Sequence, residues 1–134
     1  MSEFLWHARV YWEDTDAGGV VYYANYLRFL ERARTEWLRA RGYHQSALVV
    51  DPGVVFAVTG VELRYRRPAR LDDELAISCR LEPDGSARLA FHQQIWRDSP
   101  AGELLLKGVV SVACLDSKTF RPRRLPDFLN QALA

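Results

Sequence analysis

The sequence predicts an α+β protein in which one antiparallel sheet of about five strands curves around a single long helix. Hydrophobic residues recur at helical spacing in one long segment, residues 23–41, whereas the segments on both sides alternate with the period of a strand. The later strands are separated by short turns, which favour antiparallel neighbours. A helix with a wide apolar stripe needs a sheet to cover it, and this is the layer arrangement of an α+β domain.

The chain has 134 residues, so we expect a single domain that spans residues 1–134. Hydrophobic residues make up 49% and the formal net charge is +1, which does not point to nucleic acid. No apolar run approaches the roughly 20 residues needed to span a bilayer, and the N-terminus lacks the features of a signal peptide. Both cysteines, Cys79 and Cys114, lie in apolar strand-like segments, so we expect buried, reduced thiols in a cytoplasmic protein.

The first strand and the helix are predicted from their periods. The strand is expected at Phe4–Trp12, with one face formed by Trp6, Ala8, Val10 and Trp12. The helix is expected to begin near residues 21–23 and to end before Gly42. Its apolar stripe consists of Tyr23, Tyr26, Leu27, Phe29, Leu30, Ala33, Trp37 and Leu38.

The remainder of the chain is rich in strands. Alternation predicts strands at residues 55–65, 75–81 and 89–95, with turns at EPDGS (82–86) and DSPAG (98–102). A further long strand is expected at residues 104–115, which is apolar on both faces toward its end, so we expect part of it to be covered on both sides. A short terminal helix is expected from Pro126, docked by Phe128, Leu129 and Leu133. The outer face of the sheet also carries apolar residues, so we expect a partner subunit to cover part of it.

The stretch EDTDAGGVVYYANY, residues 13–26, lies where the first strand gives way to the helix. Asp16 precedes Gly18 and Gly19, and glycines let a backbone approach a ligand closely. The first turn of a helix has free N–H groups and the positive end of a dipole, which can hold a developing negative charge. A carboxylate beside it could activate water or attack an electrophile. The combination predicts a site that cleaves an ester-like carbonyl without a metal.

Three other interpretations of the same acids stay open. Asp16 could cap the helix or bind turn amides, as aspartates commonly do. Asp14 and Asp16 also match the DxD motif of haloacid-dehalogenase phosphatases, although those enzymes need magnesium and a parallel sheet. Glu13 together with the two aspartates would suit a hard cation, but no second group of oxygen ligands follows at a recognisable spacing.

The segment VYWEDTDAGGVVYYANYLRFLERARTEWL, Val10–Leu38, closely resembles the signature of hotdog-fold acyl-CoA thioesterases. It is most similar to the YbgC-type, Tol-Pal-associated branch, which is related to 4-hydroxybenzoyl-CoA thioesterase. The similarity extends to ELRYRRPARLDDEL, Glu62–Leu75, and covers nearly the whole chain. The resemblance implies a hotdog fold, a homodimer or homotetramer, and active sites at subunit interfaces.

The resemblance also implies an activity and its residues. The expected reaction is hydrolysis of an acyl-CoA thioester to free acid and coenzyme A, without a cofactor. An acyl carrier protein could deliver the substrate instead. Asp16 corresponds to the family's catalytic acid, a nucleophile or general base, and the backbone N–H of Tyr23 to the donor that polarises the carbonyl. Gly18 and Gly19 would allow close approach. Many YbgC-type sequences have histidine where this chain has Tyr23, and the 4-hydroxybenzoyl-CoA branch has tyrosine.

A basic cluster, RYRRPAR, contains Arg64, Arg66, Arg67 and Arg70. Arginine binds phosphate well, so these side chains are candidates for the phosphates of coenzyme A, although a solvated sheet edge would look the same. A second hypothesis is a non-catalytic hotdog module that binds acyl-CoA or an acyl carrier protein within an envelope-associated assembly. The intact Asp16 and glycines favour the enzyme.

Overall fold

The computed structural model describes residues 4–129, which form an antiparallel sheet curved around one long helix. The strands are β1 (Leu5–Arg9), β2 (Val54–Tyr65), β3 (Glu74–Ser78), β4 (Arg80–Pro83), β5 (Arg88–Arg97) and β6 (Leu104–Asp116). The helices are α1 (Tyr26–Ala40) and the short α2 (Gln45–Leu48). The strand order is β1-β3-β5-β6-β2, with β4 also paired to β5, and every pair is antiparallel. The predicted α+β class is confirmed.

The sheet has six strands where the sequence predicts about five, because one predicted strand is interrupted. β3 and β4 share a single register on β5, with Ile77 opposite Ile95 and Arg80 opposite His92. At the break the hydroxyl of Ser78 accepts the N–H of Gln94 at 3.0 Å, in place of a ladder carbonyl. The predicted strand at residues 75–81 is therefore one strand with a local irregularity.

α1 begins later than predicted and ends as predicted. Tyr23–Asn25 form a separate 3-10 turn, so regular α-helix starts at Tyr26 rather than near residues 21–23. At the other end Gly42 has φ +87°, and the N–H of Tyr43 donates to the carbonyl of Leu38 at 3.1 Å. This is the glycine-terminated stop that the sequence indicates.

The stripe of α1 packs on the concave face of the sheet. Its buried members are Tyr26, Phe29, Leu30, Ala33, Trp37 and Leu38. Tyr23 and Leu27 were also predicted to lie in the stripe, but their side chains are 63% and 40% exposed. Tyr23 is in the preceding 3-10 turn, and Leu27 is about 100° around the helix from Tyr26, so neither faces the sheet.

The two ends of the chain show the limits of the strand and helix patterns. β1 stops at Arg9, and Trp12, which alternation placed on the same face as Trp6, Ala8 and Val10, is 80% exposed in a 3-10 turn. The chain is helical at residues 127–129, where Phe128 stacks on Tyr43 with ring centroids 3.8 Å apart and Leu129 is buried. The third predicted docking residue, Leu133, lies outside the described residues.

Candidate active site

The connection between β1 and α1 folds into a tight hairpin with Asp16 at its turn. Thr15 pairs with Val21 across the hairpin. The N–H of Asp16 donates to the carbonyl of Val20 at 2.9 Å, and the N–H of Gly19 returns to the carbonyl of Asp16 at 3.1 Å. The hairpin therefore places an exposed carboxylate just before the 3-10 turn that leads into α1.

The two glycines shape the loop around this carboxylate. Gly19 has φ +77°, a conformation that residues with a side chain resist. Gly18 donates its N–H to Asp16 Oδ1 at 2.8 Å, and a Cβ on Gly18 would lie 3.2 Å from the same oxygen. The interpretation of Asp16 as a ligand of turn amides is therefore confirmed as a contact. Oδ2 of Asp16 has no donor within residues 4–129, which leaves it available to water or substrate.

Asp14, the first acid of the motif, is buried and has a different role. Its Oδ2 accepts the N–H of Tyr11 at 2.8 Å, and its Oδ1 accepts the side-chain amide of Asn25 at 2.9 Å. Its carbonyl accepts the N–H of Tyr22 at 3.0 Å. The side chain thus joins the end of the first strand to the start of the helix. The sequence contains no signal for this pairing, because Asp14 and Asn25 are eleven positions apart and meet only when the hairpin closes.

The backbone at the helix start offers hydrogen-bond donors. The carbonyl of Tyr22 accepts the N–H of Asn25 at 2.8 Å, which fixes the peptide group that carries the N–H of Tyr23. Within residues 4–129 no acceptor takes the N–H of Tyr23 or that of Ala24. The predicted Tyr23 donor therefore lies in a 3-10 turn rather than in the helix itself, and it is unpaired.

The charge of Asp16 contributes to the raised pKa values of two tyrosines near these donors. A hydrogen bond and charge interaction with Tyr23 raise the pKa of Tyr22, and the Asp16 carboxylate adds to the rise. Burial raises the pKa of Tyr26, with a smaller contribution from Asp16. Asp16 is the smallest of the causes in both cases, so its carboxylate contributes weakly to the electrostatics at the start of α1.

A surface groove runs beside the unpaired donors. It is lined by Val21, Tyr23, Tyr26, Tyr65, Arg66, Arg67 and Pro68. Of the predicted phosphate-binding arginines, Arg66 and Arg67 reach this groove. Arg64 alternates to the other face of the strand, where it lies beside Lys107 and 3.6 Å from Glu62.

The alternative interpretations of the motif do not fit this geometry. The sheet is antiparallel throughout residues 4–129, so the phosphatase interpretation, which needs a parallel sheet, is wrong. The carboxylate of Asp14 turns inward while that of Asp16 binds Gly18, and no group of three or more acidic, histidine or cysteine residues in the described part is placed to hold a metal ion. No helix within residues 4–129 is long and apolar enough to cross a membrane.

Comparisons with known proteins find relatives that match almost the whole chain. A model of the thioesterase-like superfamily matches residues 10–133. The acyl-CoA thioester hydrolase YbgC of Escherichia coli O6:H1 is 45% identical over 123 residues, which are 92% of this chain and 90% of the relative. The acyl-CoA thioesterase YbgC of Haemophilus influenzae is 40% identical over 92% of this chain and 88% of its own.

Solved structures are similar over the same length. A probable thioesterase from Bartonella henselae superposes with a TM-score of 0.86 at 36% identity, covering 93% of this chain and all of the other. A 1,4-dihydroxy-2-naphthoyl-CoA thioesterase from Synechocystis superposes with a TM-score of 0.89 at 20% identity, covering 98% and 96%, and shows the shared fold.

The fold and the loop define a hotdog protein of the thioesterase class. The chain belongs to the thioesterase-like superfamily, and the resemblance to YbgC-type thioester hydrolases seen in the sequence is confirmed.

Proposed function

We propose that the chain hydrolyses acyl-CoA thioesters at the Asp16 loop and releases the free acid and coenzyme A. One observation carries the proposal: an exposed carboxylate on a tight hairpin precedes, along the chain, a 3-10 turn with two backbone N–H groups that no acceptor within residues 4–129 takes. Relatives of 40–45% identity that bear the name of acyl-CoA hydrolases support the same reaction.

In the general-base form of the mechanism, Asp16 takes a proton from water as the water oxygen attacks the thioester carbon. The carbonyl electrons move onto oxygen, and the N–H of Tyr23 binds the resulting oxyanion with help from the helix dipole. The carbonyl then re-forms, the C–S bond breaks, and the departing thiolate takes up the proton. In the nucleophilic form, the Asp16 carboxylate attacks the thioester carbon, the C–S bond breaks, and the coenzyme A thiolate leaves behind a mixed acyl anhydride. Water then hydrolyses the anhydride to the free acid and the Asp16 carboxylate, and the thiolate takes up the remaining proton of that water.

The groove beside the donors supplies the binding surface. Val21 and Tyr26 are buried residues of its wall and suit the apolar part of the acyl group. Arg66 and Arg67 are exposed at the rim and are the better placed of the predicted arginines for the phosphates of coenzyme A. Arg64, in the neighbouring depression, is a more distant candidate. An acyl group on the phosphopantetheine arm of an acyl carrier protein would present the same thioester.

We further propose that the protein works as a homodimer or homotetramer in the cytoplasm. β2 is a 12-residue strand at the edge of the sheet, and Val58 and Val61 on it are 51% and 46% exposed. A long apolar edge invites pairing with another strand, and a second copy would cover it. Cys79 and Cys114 are both free and buried, as expected in a reducing compartment. Light scattering should give at least twice the monomer mass at micromolar concentration, and a stable monomer would contradict the oligomer.

The test of activity is thiol release from short, long and aromatic acyl-CoAs by the wild type beside Asp16→Asn. The asparagine oxygen can still accept the Gly18 N–H, so the loop should keep its shape while the base or nucleophile is lost. We expect turnover to fall by about 10²–10⁴, with the KM changed only a few-fold.

Glu13→Gln is the matched control, because it removes an exposed acid from the same loop and should leave turnover unchanged. Near-normal turnover by Asp16→Asn would refute the assignment of Asp16. Absence of release from every acyl-CoA, by a folded protein, would favour the non-catalytic module or an acyl-carrier-protein substrate.

A further inference from the structure

A tyrosine on the edge strand β2 is hydrogen-bonded to the 3-10 turn that precedes α1. The hydroxyl of Tyr65 donates to the carbonyl of Tyr23 at 2.7 Å, across 42 positions of the chain. Tyr65 is the last residue of β2, where it pairs with Leu106 of β6. The contact therefore ties the end of a long strand to the 3-10 turn that carries the proposed oxyanion donor.

The ring of Tyr65 is supported by its neighbour Tyr26. Its ring packs edge-on against Tyr26, with centroids 5.5 Å apart and planes at 69°. Tyr26 is buried, and its hydroxyl accepts the N–H of Ala69 at 3.0 Å. Burial raises the pKa of Tyr65, with further contributions from Tyr26 and Tyr23, so the hydroxyl stays protonated at neutral pH and can act as the donor.

The contact completes a pair of anchors around Tyr23. On one side the carbonyl of Tyr22 is held by the N–H of Asn25, and on the other the carbonyl of Tyr23 is held by Tyr65. In a trans peptide the N–H points opposite to the carbonyl, so anchoring these two oxygens also aims the N–H groups of Tyr23 and Ala24. A 3-10 turn has weaker hydrogen-bond geometry than an α-helix, and it gains correspondingly from an outside anchor.

We infer that Tyr65 is a positioning residue for thioester hydrolysis: its hydroxyl holds the peptide group between Tyr23 and Ala24, which aims the N–H of Ala24 directly and restrains the neighbouring N–H of Tyr23, the proposed oxyanion donor. The inference rests on the proposed function and extends it from the donor to the group that aims the donor. Oxyanion donors act through preorganisation, because they must already point to where charge develops. Tyr65 acts through the backbone.

The first test is Tyr65→Phe, which keeps the ring and its packing on Tyr26 and removes only the hydroxyl. We expect kcat to fall about tenfold, with the KM within about twofold, because misplacement of a positioned group slows chemistry more than binding. Tyr43→Phe is the matched control. It removes the hydroxyl of a tyrosine that lies beyond the opposite end of α1 and stacks on Phe128, so it should leave kcat unchanged.

The second test distinguishes a change in the orientation of the N–H groups from a general loosening of the groove, and it does not require turnover. Two inert analogues of one acyl-CoA are bound by calorimetry: a ketone with methylene in place of sulfur, and a thioether with methylene in place of the carbonyl. We expect Tyr65→Phe to weaken the ketone several-fold and to leave the thioether unchanged, because only the ketone presents an oxygen to the N–H groups.

The outcomes distinguish this inference from the proposed function. Failure of the wild type to release thiol would count against the proposed function, and the pair of analogues would still decide the role of Tyr65. An active wild type with an equally active Tyr65→Phe would overturn the inference and leave the proposed function intact. Equal weakening of ketone and thioether would also overturn it, because a loosened groove affects both.

Discussion

Two aspartates of the same loop, Asp14 and Asp16, lie two positions apart and have opposite environments. Asp14 is 7% exposed, and both of its carboxylate oxygens accept hydrogen bonds from the protein, one from a backbone N–H and one from the side-chain amide of Asn25. Asp16 is exposed and binds the protein through one oxygen, to Gly18. The difference shows that burial and hydrogen bonding, rather than residue type or motif position, separate the acid that supports the site from the acid available for chemistry.

The largest expected effect is a difference in stability between variants of the two aspartates. Asp14→Ala would leave the N–H of Tyr11 and the amide of Asn25 without their partner, so we expect a loss of about 2–4 kcal/mol in the free energy of unfolding. Asp16→Ala gives up one exposed hydrogen bond, and its loss should stay below about 1 kcal/mol. Urea unfolding monitored by tryptophan fluorescence would measure both.

The order of the two variants should be reversed for turnover per folded molecule, so that the more stable variant, Asp16→Ala, is the less active one. Asp16→Ala should be nearly inactive, whereas any folded Asp14→Ala should retain thiol release above that of Asp16→Ala. Equal stability of the two variants would show that the buried pair of Asp14 and Asn25 contributes nothing to the fold.

The two glycines of the Asp16 turn should differ in the same way, one affecting stability and the other activity. Gly19 has φ +77° and open space around it, so Gly19→Ala should cost about 1–2 kcal/mol in unfolding free energy through backbone strain alone. At Gly18 a Cβ would lie 3.2 Å from Asp16 Oδ1, so Gly18→Ala should move the carboxylate and lower kcat about tenfold, with little loss of stability. Thermal melts and steady-state kinetics of both variants would measure the stability effect and the kcat effect separately. Equal effects of the two changes on kcat would refute this difference.

The smallest effect is expected from groups that are buried without a contact to the site. Burial raises the pKa of Cys79 to about 12, with Arg34 and Arg41 opposing the rise, and burial also raises the pKa of Cys114. Because both shifts are upward, each thiol stays protonated through neutral and mildly alkaline pH and lacks the reactive thiolate. Treatment of the folded protein with iodoacetamide at pH 8 should leave both cysteines unmodified by mass spectrometry and thiol release unchanged. Inactivation that follows labelling would contradict their structural role.

Most of the architecture could be predicted because it depends on local period and local chemistry. The stripe of α1 and its stop at Gly42 need only helical spacing and one residue that accepts a positive φ. The alternation in β5 reports one buried face in the same way. The break after Ser78 could not be predicted, because it depends on which side chain meets the N–H of Gln94 on another strand.

Spacing and residue type are sufficient to predict the α+β class, the family signature, and the acid and glycines of the candidate site. They do not predict which aspartate is buried, where α1 begins, or that Tyr65 reaches the carbonyl of Tyr23, and these features follow from the folded structure. Periodicity describes neighbours along the chain. The pairing of Asp14 with Asn25 and of Tyr65 with Tyr23 depends on how the hairpin, the helix start and the end of β2 are packed in space.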